Sequence, residues 1–271
     1  MHASDTTRQA IVSLAALLLS CGAAVSAPIA TPDFARMPAL DLRMVSARTG
    51  NVIQTSRIWS EPIVRRGEPL IVLHERAALQ TGRTLESQML LQPGATLRCL
   101  EEEHRVQGDD GEILATTMRQ FRPDALLFQG LPVPDDTYPL SGSLLYLLGY
   151  LPLDADGEGS FHLLGPMQAF KLNARRHGSE DISVPAGHFA CNHLRLQPDA
   201  ESLNLPAVFR PFARLLLPEF NAWIMRDPPH LTVRATGPFG APEDRDVILE
   251  VVAIEPVPQA AESPGVGTIQ P

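Results

Sequence analysis

Short segments in which apolar and polar residues alternate, each closed by a turn-forming Gly, Pro or Asp, recur from residue 40 to residue 254. Residues 83–91 show the pattern plainly. Leu85, Met89 and Leu91 fall on one side and Thr84, Glu86 and Gln88 on the other. A period of two puts successive side chains on opposite faces of an extended chain and marks a half-buried strand. The punctuation agrees. Gln92-Pro93-Gly94-Ala95 carries Pro then Gly at its centre, as a type II turn requires, and Asp109-Asp110-Gly111 is a hairpin turn of the Asp-Gly kind.

The alternation predicts strands over 40–47, 52–60, 70–79, 83–91, 96–106, 112–121 and 125–129, then over 160–165, 167–177, 188–196, 221–226, 231–236 and 247–254. The last is apolar on both faces, as a central strand would be. Two helices interrupt the series. Over 141–151, Leu144, Leu145, Leu147, Leu148 and Leu151 recur at helical spacing behind a plausible N-cap, Ser141. A second is predicted over 207–217 on Phe209, Phe212, Leu215 and Leu216. The expected fold is all-β in the main. It is an antiparallel meander closing into a barrel or half-barrel, with two short helices packed on it, since closure removes exposed sheet edges. The 25 prolines and 19 glycines suit many short elements joined by turns.

The amino terminus reads as an export signal: Arg8, an apolar run over 10–19, then small residues up to Ala27. Two cleavage readings stand. Leu18-Leu19-Ser20-Cys21 resembles a bacterial lipoprotein box, which makes Cys21 a lipid-anchor candidate. The alternative is ordinary cleavage near Ala24 or Ala27. The organisation expected is a signal peptide over 1–27, a single β domain over 31–255 and a disordered tail over 256–271. No stretch reaches the 18 or so apolar residues of a membrane-spanning helix. The net charge of −9 argues against a nucleic-acid or anionic-membrane surface, both of which reward clustered Lys and Arg.

In an oxidising compartment the even pair Cys99 and Cys191 permits one disulfide; the other reading is two buried thiols. His188 and His193 lie five apart on one strand and so face opposite sides. Cys191 and His193 share a face, but a packed Cys beside a surface His explains them as well as a soft metal site does. Within 101–103, Glu101 and Glu103 share a face with Cys99, while Glu102 falls with His104; a solvated strand face is the expectation. The sequence holds no G-x-S-x-G elbow, H-E-x-x-H, P-loop, C-x-x-C or G-x-G-x-x-G, so no reaction, metal or cofactor is called.

The stretch Glu180-Asp181-Ile182-Ser183-Val184-Pro185-Ala186-Gly187-His188-Phe189-Ala190-Cys191, followed by a strand with Trp223 and a final strand, resembles a family of exported bacterial proteins of unknown function. In that family a V-P-A-G-x-F turn joins two strands of a lipocalin-like or half-barrel sheet. The resemblance spans roughly 40–254 and is specific over Val184 to Phe189. It implies a fold and an envelope location, and supplies no catalytic residues.

The reading that follows is an exported module, in the periplasm or tethered to the outer membrane, that binds an apolar small molecule or lipid. The cavity candidates are Leu144, Tyr146, Leu147, Tyr150, Phe209, Phe212 and Trp223. A structural or assembly partner of other envelope proteins, working through an exposed face or sheet edge, is the alternative. An unrecognised hydrolase comes third.

Overall fold

The protein is described from a computed structural model, which defines residues 29–121, 127–128, 131–132, 134, 136–139, 143–164, 169–202, 217–238 and 246–256. Six strands open the chain: β1 (Ala39–Ser46), β2 (Val52–Arg65), β3 (Glu68–Leu79), β4 (Thr84–Gln92), β5 (Arg98–Gln107) and β6 (Ile113–Gln120). The short β7 (Leu127–Phe128) and β8 (Leu131–Pro132) pair only with each other. Then come β9 (Thr137–Pro139), helix α1 (Ser143–Leu147) with a 3-10 turn (Leu148–Tyr150), β10 (Glu158–Leu164), β11 (Ala169–Val184) and β12 (Gly187–Pro198). The series ends with β13 (Phe220–Met225), β14 (Thr232–Gly237) and β15 (Val247–Glu255).

Thirteen of these strands form one sheet, ordered β6-β5-β4-β3-β2-β1-β15-β14-β13-β12-β11-β10-β9. β15 sits near the middle, between β1 and β14, as its two apolar faces required. Local chemistry sets the hairpins. Arg66 and Gly67, with φ of 56° and 84°, make a two-residue turn whose twist suits paired strands. β2 therefore continues past residue 60, where the sequence pattern ended, and Pro62 pairs with Ile71. The turn of Pro185 and Ala186 joins β11 to β12 as expected, and the Ala186 N–H reaches the Val251 carbonyl on β15 at 3.2 Å.

One pairing is parallel: β9 runs alongside β10, with Thr137 opposite His162. Parallel neighbours need a crossover, and here α1 with its 3-10 turn supplies it. The helix lies against β3 on one side and β14 on the other, so the sheet curls around it. Gly149 allows the close approach, because a Cβ there would collide with the His230 carbonyl. The concave face holds the core, with Leu42, Ile58, Leu73 and Met89 on one limb and Leu172 and Leu196 on the other.

The curling brings edge strand β9 beside the start of β5. No ladder joins them among the described residues, so the sheet is barrel-like and open where a closed barrel had been one expectation. Side chains bridge the gap. The Tyr138 hydroxyl accepts from the Ile29 N–H at 3.0 Å and donates to the Leu97 carbonyl at 2.6 Å. The Leu97 N–H returns to the Ile29 carbonyl at 2.8 Å, and the Ala30 N–H reaches the Tyr150 carbonyl at 3.0 Å. The buried residue Ile29 thus wedges into the seam.

Two further expectations change. One α-helix is present among the described residues, and it is five residues long with a 3-10 turn beyond it. The second expected helix, with Phe209 and Phe212, lies outside the described residues apart from Leu217, so the two-helix architecture is not borne out. Cys21 and the leader also lie outside them, as does the tail beyond Pro256. Cys99 and Cys191 are separate buried thiols rather than a disulfide. They sit on β5 and β12, with β4, β3, β2, β1, β15, β14 and β13 between them in the sheet. Burial, reinforced by the Glu102 carboxylate, raises the Cys99 thiol well above its ordinary pKa, and burial pushes Cys191 up to about 11.

Two outcomes follow. Tyr138→Phe leaves a buried N–H and a buried carbonyl without their partner and should cost about 1–3 kcal/mol. The urea midpoint should fall while the m-value holds; an unchanged midpoint would show that the seam needs no hydrogen bonds. Iodoacetamide at pH 8 should leave Cys99 and Cys191 unlabelled in the folded protein and modify both in denaturant without reductant, because the thiolate is the reactive form. Peptide mass mapping reads this, and a pair that labels only after reduction would restore the disulfide.

Candidate functional site

Between α1 and the concave face lies a cavity of about 340 Å³. Leu144, Leu145 and Leu148 cover it from the helix. Leu163, Leu172, Leu196, Phe220 and Leu249 form one wall, from β10, β11, β12, β13 and β15. Met44 and Leu85 continue the apolar lining on the opposite limb, where Gln54, Glu75, Ser87 and His104 also face the space. The cavity is therefore two-sided in chemistry, hydrocarbon over most of its surface and polar at one end.

Strand register builds the polar end. Glu75, Ser87 and His104 are successive cross-strand neighbours on β3, β4 and β5. The next row is Leu73, Met89, Glu102 and Arg119. Glu102 is only 1% exposed. Its carboxylate lies 2.6 Å from His104 Nε2 and accepts from Arg119 Nη1 at 3.3 Å. A buried carboxylate needs such partners. A β-bulge explains why it points inward. Leu90 pairs with Glu101 and Leu91 with Cys99, leaving Leu100 as the extra residue. The bulge resets the alternation, so Cys99 and Glu102 share the buried face. Strict alternation had set them apart and had made the Glu101–Glu103 run a solvated face.

The residues singled out from sequence divide. Leu144 lines the cavity. Leu147 is fully buried elsewhere in the core. Tyr146 donates to the Pro38 carbonyl at 2.6 Å, and Tyr150 to the Pro229 carbonyl at 2.7 Å, so both anchor the helix rather than face a ligand. Burial pushes both hydroxyls up in pKa. Trp223 is half-buried between the buried Ala222 and Ile224 and packs against the edge of the core. It stacks on His193 with centroids 4.7 Å apart, donates to Glu180 at 2.6 Å and carries Arg234 over its ring. Phe209 and Phe212 lie outside the described residues.

Sequence reading missed Gln54, Glu75, Ser87 and Arg119; it placed Glu102 and His104 together on one face but took that face for a solvated one. A signal was present in Glu75, which falls in the same alternating register as Ile71, Leu73 and Ala77. An acid in the inward register of a strand marks a buried polar site.

Ser87, His104 and Glu102 are the residue types of a nucleophile, a base and an orienting acid. Ser87 lies within the ladders to both β3 and β5, which engage the backbone N–H groups around it. An oxyanion hole needs free N–H donors aimed at the reacting oxygen, and none is available there among the described residues. No three His, Cys, Asp or Glu side chains converge as metal ligands among the described residues. No helix among them is long and apolar enough to cross a membrane. A larger depression, about 470 Å³, lies by Arg57, Trp59 and Arg76. Its charges are already engaged, Arg57 with Glu255 and Asp41, and Arg76 with Glu86; the Arg57 hydrogen bond holds the Glu255 carboxyl below its usual range.

No family model matches the chain, and no curated protein matches it. Three solved structures are similar to it. An inferred exported protein with a YmcC-like fold from Bacteroides fragilis is 10% identical, covers 84% of this chain and 100% of its own, and has a TM-score of 0.38. An inferred lipoprotein from Parabacteroides distasonis is 9% identical, over 85% of this chain and 100% of its own, with a TM-score of 0.38. A β-barrel-like protein of domain of unknown function DUF1849 from Brucella abortus is 12% identical, over 85% of this chain and 99% of its own, with a TM-score of 0.46.

Proposed function

We propose that this chain is an exported, non-catalytic envelope module that holds an apolar small molecule or lipid in the cavity beneath α1. The cavity carries the reading: about 340 Å³ lined mainly by leucines, within the roughly 300–1,000 Å³ of small-molecule sites. The leader over 1–27 supports export, and the lipoprotein box at Cys21 supports a tether to the outer membrane, with cleavage near Ala24 or Ala27 giving a free periplasmic chain instead.

A second reading, an assembly partner acting through a sheet edge, has its own observation. β6 ends the sheet, and Ile113, Leu114 and Met118 are 57%, 48% and 61% exposed on it. Edge strands that present apolar side chains invite pairing with another chain.

Native mass spectrometry of protein taken from the envelope separates the two readings. A retained small molecule supports the carrier; a bare chain that co-isolates with a protein partner, and loses it on Met118→Arg, supports the edge. Filling the space tests the carrier directly. Leu148→Trp should reduce retained ligand by at least about tenfold, at an overpacking cost of about 1–3 kcal/mol. A circular dichroism melt confirms that the variant folds, and full ligand retention in a folded variant would sink the cavity reading.

A further inference from the structure

The walls of the cavity are held in different ways. Leu163, Leu172, Leu196 and Leu249 line it from β10, β11, β12 and β15, and each of these strands is paired on both sides. Moving any of them breaks a ladder of backbone hydrogen bonds. α1 belongs to no ladder. It covers the space with Leu144, Leu145 and Leu148, all three buried. Burial of three leucines favours the shut position, yet apolar contact is non-directional and does not fix where a short helix sits.

Two hydroxyls supply the fixing. Tyr146 and Tyr150 stand two residues on from Leu144 and Leu148, roughly half a turn away, so one stripe of the segment covers the cavity and another faces its surroundings. The Tyr146 hydroxyl donates to the Pro38 carbonyl, just ahead of β1, at 2.6 Å. The Tyr150 hydroxyl donates to the Pro229 carbonyl, in the turn between β13 and β14, at 2.7 Å. Burial pushes both hydroxyls up in pKa, so both stay protonated donors at physiological pH. Each phenol thus ties the cover to the frame by one bond that breaks when the cover lifts and reforms when it returns.

We propose that α1 is a lid, latched by the Tyr146 and Tyr150 hydroxyls, and that ligand enters and leaves the cavity when it lifts. This rests on the cavity being a ligand site, and the first measurement tests that alone. A lid leaves a kinetic signature. When ligand exchanges only from a rarely populated lifted state, uptake and release both scale with that population, and their ratio does not. Loss of a latch therefore speeds both and leaves Kd in place, whereas a change in a cavity contact moves Kd.

The purified full chain is first titrated with N-phenyl-1-naphthylamine, an uncharged apolar fluorophore. Absence of binding overturns the cavity reading, and the lid with it. With binding established, stopped-flow fluorescence follows uptake and release of the probe. Tyr146→Phe and Tyr150→Phe should each speed both rates by about fivefold, the worth of one hydrogen bond, with Kd held to within about twofold. Trp223→Phe loses the hydrogen bond to Glu180 and leaves both latches intact, so its rates should match those of the unsubstituted protein. A circular dichroism melt confirms that each variant folds. Unchanged rates in the folded tyrosine variants overturn the lid, as does equal acceleration in Trp223→Phe, which would make general loosening the cause. A Kd that weakens with the release rate alone also overturns it. In all three cases probe binding leaves the cavity itself standing.

Discussion

The Tyr138 hydroxyl is where the architecture is decided. A thirteen-stranded sheet, antiparallel but for one pair, has no intrinsic reason to stop curling or to hold its far edge in place, and twist alone leaves both edges open. Here β9 and the start of β5 are held by one phenol that accepts from Ile29 and donates to Leu97. Tyr138 is fully buried and packs edge-on against Phe161 at 6.4 Å. Burial also pushes its hydroxyl far up in pKa, so it stays a neutral donor at any physiological pH. The seam fixes how far the sheet closes, and that sets the space left for the helix.

The helix in turn follows from topology. β9 and β10 are parallel, so the chain between them must cross over. The crossover carries Leu144, Leu145, Leu147 and Leu148 into the concave side, where they replace the facing wall that a closed barrel would have supplied. A complete filling would need side chains at every layer. The small and polar residues Ser87 and Gln54 leave part of the space open, and the cavity lies between them and the leucine layer.

Much of this was legible in the sequence because strands announce themselves by alternation and Gly or Pro turns. The meander from β1 to β6, the central β15 and the Val184 to Gly187 turn all came from that signal. What escaped depends on one-residue shifts or on partners far along the chain. The bulge at Leu100 swaps the faces of Cys99 and its neighbours relative to Glu102, and no local pattern marks it. The eleven-residue helix shrank because Gly149 brings the chain against the His230 backbone and the last turn tightens to 3-10. Tyr146, Tyr150 and Trp223 looked like ligand contacts because aromatic side chains with a polar tip suit binding sites. The same property lets two of them tie the helix to Pro38 and Pro229, and lets Trp223 join a half-buried ladder with His193 and Arg234.

The polar row beneath α1 bears most on function because packing does not require it. A buried carboxylate paired with a guanidinium and an imidazole gives little net stability over well-packed apolar residues of the same volume. Leucine at 75, 87 and 102 would continue the rows of Ile58, Leu73 and Met89 and close the cavity. Instead the strands place Glu75, Ser87 and His104 side by side, with Glu102 and Arg119 fixing the imidazole from behind. Glu75 is itself engaged and His104 bonds Glu102, so the row is a held polar face rather than a set of free groups. The leucines opposite give the cavity one apolar and one polar side, the contrast on which the proposed binding role rests.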